Sequence, residues 1–185
     1  AIDASLAERA TLTAMGLKDQ ESVSRVLETW LEIDQHSMTA HQIAAYVDLE
    51  AEDVSSALEH LRKIIALASE RGEDGFVKAA RLVNKLEPAD RRLELMEALT
   101  SDEPENADAW FARALVAAGS DQFDQSGAAA RRAAELRPDW NEPKIFLVQV
   151  LINQEKQDEA RETLERFVSE QPDDHGLRML YAQLL

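Results

Sequence analysis

The 185-residue chain has no cysteine, which excludes disulfides, thiolate chemistry and cysteine-ligated zinc but leaves the compartment open. Glycine and proline number only 6 and 5, while Ala, Leu, Glu and Arg are frequent, a balance that favours helices over sheets. No apolar run reaches the 18 residues that a membrane-spanning helix needs. No basic, apolar leader opens the sequence at Ala1, and a signal or anchor removed from a longer parent is left open. Positive charge is also short: 20 Lys and Arg stand against 36 Asp and Glu, a net charge of −16. Such a surface repels phosphate backbones and anionic lipid, so nucleic acid is not expected as a partner, whereas a basic protein face would be steered toward it.

The usual carriers of catalysis are missing as well. The four histidines, His36, His41, His60 and His175, form no HExxH pattern and supply no recognisable metal triad. His60, within Glu59-His60-Leu61-Arg62-Lys63, reads as an exposed helix position. The stretch from Asp121 to Gly127 lacks the alternating acidic ligands and late Glu of a calcium loop, and Asp124 is expected instead to start a helix and accept its free N–H groups. No nucleophile elbow, phosphate loop or dinucleotide fingerprint occurs. No catalytic residue, metal or cofactor is therefore expected. A hydrolase built from noncanonical acidic residues is the enzymatic alternative.

What the sequence does contain is a period. From Asn141 to Pro172, Ile145, Leu147, Val148, Leu151 and Ile152 mark one helical stripe, and Ala160, Leu164, Phe167 and Val168 mark a second after a short polar turn. Thirty-four residues earlier, Trp110, Ala114, Ala117, Ala130, Ala133 and Pro138 match Lys144, Val148, Leu151, Leu164, Phe167 and Pro172. Pro104 lies one further step back, and Phe76, Ala80, Val83, Met96 and Leu99 continue the pattern upstream. The expected units are residues 4–37, 38–72, 73–106, 107–140 and 141–174, with a partial unit at 175–185. Two helices of about 12 to 14 residues and two turns fill such a period, and neither helix can bury its stripe without a neighbour.

An aromatic early in the first helix, small residues near the crossing and a closing proline, met best by Trp110, Ala114, Ser126, Ala133 and Pro138, resemble the tetratricopeptide repeat (TPR) family. Arg92, where a small residue is usual, and Pro88, in the turn of the third unit, depart from the pattern. The resemblance implies an all-α, right-handed alpha-solenoid of antiparallel helical hairpins whose first helices line a concave face. It implies a non-enzymatic scaffold or adaptor that binds a protein or peptide there.

On that geometry the inner surface carries Asp108, Phe111, Ala112 and Leu115 beside Glu142, Ile145, Phe146 and Gln149, with Gln42, Ile43 and Tyr46 as a continuation on the second unit. Phe111 and Phe146 read either as anchors for a ligand or as fillers of the seam between hairpins. Lys78, Arg81 and Lys85 make a basic stripe at helical spacing, suited to an acidic segment or to local pairing. These positions do not reproduce the basic clamp with which some family members hold a chaperone's acidic tail. Within the family the chain is similar to bacterial outer-membrane lipoproteins that bind a periplasmic carboxyl-terminal processing protease and bring it substrates. That likeness implies the periplasm or the periplasmic side of the outer membrane. Self-association is a further expectation, through Leu177, Leu180, Tyr181 and Leu184 of the partial unit.

Overall fold

Many of the helices begin where short polar side chains can take up the N–H groups that a first turn leaves free. Asp3 accepts from the Leu6 amide at 2.8 Å, Asp19 from Ser22 at 3.2 Å, Ser37 from Ala40 at 3.2 Å and Asp53 from Ser56 at 3.1 Å. Asp74 caps Val77, Asn106 caps Asp108 and Ala109, and Asp174 caps Leu177 in the same way. The computed structural model describes residues 3–17, 19–86 and 89–184, with the side chains of Gln20 and Leu184 excepted. Pro88 and the Leu184 side chain, named above, and residue 185 of the partial unit lie outside the described residues.

Among the described residues there are eleven helices and no strand. They are α1 (Ala4–Gly16), α2 (Gln20–Ile33), α3 (Met38–Glu50), α4 (Val54–Glu70), α5 (Gly75–Val83), α6 (Ala89–Thr100), α7 (Ala107–Gly119), α8 (Phe123–Leu136), α9 (Asn141–Asn153), α10 (Gln157–Glu170) and α11 (His175–Leu184). The architecture is all-α, a helix-hairpin repeat of the alpha-solenoid class. The helices group into two compact units, Ala1–Leu82 and Val83–Leu185.

In the first unit Ala7, Leu27, Trp30, Ala40 and Ala44 form a core flanked by Ile43 and Val47, so the second helix of one hairpin meets the first helix of the next. In the second unit each helix from α6 to α10 packs on its successor, around Val116, Ala130, Leu147, Val148 and Leu164, all without measurable exposure. Alanine at 114, 130 and 133 lets backbones approach closely.

Several turns between consecutive helices close in one way. The amides of Asp53, Glu73, Gln122 and Lys156 reach back to the carbonyls of Asp48, Ala68, Ala117 and Leu151. The residue before each is left-handed: Glu52 at φ 63°, Gly72 at 69°, Asp121 at 57° and Glu155 at 60°. Glycine, scarce in this chain, fills that place only once of the four.

The exits of the hairpins share a second device. Trp110 donates its indole Nε1 to the carbonyl of Pro104 at 2.9 Å, and Lys144, the matching residue one period on, donates Nζ to the carbonyl of Pro138 at 2.5 Å. Different side chains thus supply a donor to the equivalent proline carbonyl in the loop that follows each hairpin. Lys144 is 2% exposed, also donates to Gln171 Oε1, and is held below the ordinary lysine pKa by burial. Arg92, the misfit of the repeat pattern, is buried too. Its Nε donates to Leu86 O and its Nη1 to Gly119 O at 2.7 Å, tying the loop before α6 to the end of α7. Ser126, at the equivalent place 34 residues on, donates to Ala114 O at 2.8 Å. Both positions supply a donor to backbone carbonyls, Arg92 to those of the loop before α6 and the end of α7 and Ser126 to one inside α7.

One expectation about α11 is corrected. Leu177 is fully buried because α11 lies on α10 as a first helix would and turns that residue inward; Leu180 and Tyr181 are half-buried, and Met179 is exposed.

Candidate partner-binding site

The residues expected on the fourth and fifth units come together on α7 and α9. Phe111 meets Phe146 edge to face, with centroids 5.5 Å apart and rings at 89°, and Trp140 at 5.0 Å and 75°. Each ring edge, relatively positive, faces the negative π cloud of its neighbour. Trp140 stands at the N-cap of α9, where its side chain makes no capping bond. The sequence thus gives up a polar cap there and gains an aromatic wall.

Arg137, at the C-cap of α8, lies over the Trp140 ring at 4.2 Å and binds Asp108 on α7 at 2.5 Å. One guanidinium therefore fixes the tryptophan and neutralises the nearest carboxylate. The result is a braced surface. Phe111 is 9% exposed and forms its floor; Leu115, Ile145 and Phe146 are half-buried, and Glu142 and Gln149 are exposed at its edges. Ala112 is fully buried and offers nothing to a ligand.

Elsewhere the expected residues are placed differently. On α3, Gln42 and Ile43 are half-buried, Ile43 packing against the first unit's core, while Tyr46 is 42% exposed. Lys78 on α5 pairs with Glu73 at 2.9 Å, the local pairing weighed above, and Arg81 is exposed on the same helix. Lys85 lies beyond α5, which ends at Val83, where the Leu86 amide turns back to the Val83 carbonyl.

Two further readings are corrected. Asp124 does not cap α8; it accepts from Gln154 Nε2 at 2.7 Å and Lys156 Nζ at 3.2 Å, linking α8 to the turn of the next hairpin, and these bonds hold its carboxyl below the usual carboxylate range. His60 is not an exposed helix position. It is half-buried on α4 with Nδ1 2.8 Å from Nδ1 of His41, which is itself buried on α3. Nineteen residues separate the two, and only the relative rotation of α3 and α4 brings them together.

Among the described residues no group of three or more His, Asp or Glu is placed to hold a metal ion, and no helix is long and apolar enough to cross a membrane. What the α7–α9 surface offers chemically is apolar contact edged by carboxylate and amide.

Comparison with known proteins matches residues 141–184 to a family model described as tetratricopeptide repeat. No curated protein matches the chain. Among solved structures, a thermophilic TPR protein of Thermus thermophilus is 19% identical, with 98% of each chain covered and a TM-score of 0.51. YrrB, described as a TPR protein with an unusual peptide-binding site, is 21% identical over 99% of this chain and 93% of that one, with a TM-score of 0.51. MamA from Desulfovibrio magneticus is 17% identical over 92% of this chain and 97% of its own, at 0.50. At these identities the likeness is one of fold.

Proposed function

We propose, from the tetratricopeptide repeat matched at residues 141–184 and the helical hairpins of the rest of the chain, that this protein is a non-enzymatic scaffold that holds a protein or peptide against the first helices of its fourth and fifth hairpins. The observation that carries this reading is the pairing of a buried Phe111 with a half-buried Phe146. The floor is fixed before any partner arrives, so little side-chain entropy is lost on binding. Phe146, Ile145 and Leu115 supply apolar contact, and Glu142 and Gln149 give polar edges. The peptide-binding site ascribed to YrrB, a protein of similar fold, supports the same use of a repeat surface.

Pull-down from native extract, followed by competition with peptides from the captured partner, tests the reading. Phe146→Ser is expected to lower affinity at least tenfold, with helicity by circular dichroism unchanged. Unchanged affinity in Phe146→Ser and in Glu142→Lys rejects this surface. The narrower reading, an adaptor between a carboxyl-terminal processing protease and its substrates in the bacterial periplasm, requires such a protease among the captured proteins. The structural alternative, self-assembly through α11, requires mass to rise with concentration in sedimentation.

A further inference from the structure

The first unit holds a cluster of titratable groups that partner binding does not use. His41 Nε2 lies 3.0 Å from the carbonyl of Gln35, an acceptor, so this nitrogen carries a hydrogen and Nδ1 of a neutral His41 presents a lone pair. His60 Nδ1, 2.8 Å away, is then the donor of the pair. That assignment leaves His60 Nε2 with a lone pair directed at Asp48 Oδ2, 3.7 Å distant. Asp48 Oδ2 is buried and has no hydrogen-bond partner. Two acceptors thus face each other with no hydrogen between them, and a buried acceptor left unmet is costly.

The geometry points to a three-member proton clamp in which His41, His60 and Asp48 share one added proton, held between His60 Nε2 and Asp48 Oδ2, and thereby lock α3 onto α4. With that proton, His60 donates on both sides, through Nδ1 to His41 and through Nε2 to Asp48, after the last gap closes by less than an ångström. A second proton, on His41 Nδ1, sets two N–H groups face to face at 2.8 Å and opens the hairpin.

The surroundings fit this order of events. Burial holds both imidazoles below their ordinary pKa, and for His41 the His60 ring and Lys63 on α4 add to the depression, against the Gln35 carbonyl and Asp34 from the end of α2. Glu59 on α4 partly offsets burial at His60. Burial, and then the charge of Asp53 at the start of α4, raise the Asp48 carboxyl. A base made weaker beside an acid made weaker brings the two proton affinities together, the condition for sharing one proton. The clamp also bears on α3, which carries Gln42, Ile43 and Tyr46.

Protons counted in each state give the test. Near pH 5 the unfolded chain protonates both histidines while the folded clamp holds one proton, so the unfolding constant changes about tenfold per pH unit from this cluster. Asp48→Asn removes the acceptor that retains the proton, and its dependence below pH 6 steepens toward about a hundredfold per unit. The double variant His41→Gln/His60→Gln loses the cluster's contribution. Stability is read from urea unfolding between pH 5 and 8. In parallel, imidazole nitrogen shifts in the unaltered chain report uptake of one proton felt by both rings, and Asp48→Asn moves the His60 midpoint downward. Equal pH slopes in the parent and Asp48→Asn overturn the clamp. If the Asn variant does not fold, two independent histidine midpoints at the ordinary value in the unaltered chain overturn it as well.

Discussion

Trp140 stands edge-on to Phe111 at 5.0 Å, at the one first-helix N-cap of the second unit occupied by an aromatic rather than a capping side chain. An Asn or Ser there contributes about 1 kcal/mol through its capping bond. An aromatic pair contributes roughly 0.5–1.5 kcal/mol beyond the area it buries. The exchange is therefore close to even, and it depends on Phe111 filling the seam.

From this follows a contrast between two phenylalanines that look alike in sequence. Phe111→Ala leaves a void under both Trp140 and Phe146 and is expected to cost about 3–5 kcal/mol, measured by urea unfolding. Phe146→Ala, at a half-buried position with one ring partner, is expected to cost about 1–2 kcal/mol. Equal losses would mean that Phe111 is no more a core residue than its neighbour.

The helical repeat was legible because it is written in local and periodic signals: small residues at 114 and 130, prolines at 104, 138 and 172, polar turns between stripes. The expected surface on α7 and α9 follows from the same period. Its inner division was not legible, since whether Phe111 or Phe146 faces outward depends on the angle at which two helices cross. Arg92 broke the pattern because the rule of smallness concerns side-chain volume, whereas this guanidinium answers unmet carbonyls at 86 and 119. The His41–His60 pair carries no sequence signal, for neither residue lies in a motif and their meeting is a matter of tertiary register.

Acid should loosen the last helix first at its cap. Asp174 accepts from the Leu177 amide and from Asn141 Nδ2, and these bonds, the backbone one foremost, hold its carboxyl below the usual range. A carboxylate whose pKa is lower folded than unfolded contributes stability in full above its unfolded value near 3.8, and that contribution fades as pH falls through the folded value. The protection factor of the Leu177 amide against hydrogen exchange should hold at pH 5 and drop toward pH 3. In Asp174→Asn the pH-dependent part of that drop should vanish. A factor that is flat with pH in the parent would show that the cap is not carried by charge.

Turns without glycine give the last prediction. A residue with a Cβ pays roughly 1–2 kcal/mol in the left-handed region. Replacing it by glycine removes that strain, and the freer unfolded chain takes back roughly 0.4–1 kcal/mol of the gain. Glu155→Gly should therefore stabilise the second unit by about 0.5–1 kcal/mol, and Asp121→Gly by less, because a short Asp side chain tolerates that region better. Glu155→Gln removes the charge alone and should leave thermal stability within about 0.5 kcal/mol of the parent. Glycine is not free to leave where it already sits: a Cβ at Gly75 would stand 2.6 Å from the Ile65 Cα and carbonyl oxygen, so Gly75→Ala forces α5 off α4 and should cost about 1–3 kcal/mol. If Glu155→Gly destabilises in thermal melts while Gly75→Ala is neutral, then backbone conformation and close approach do not govern these two turns.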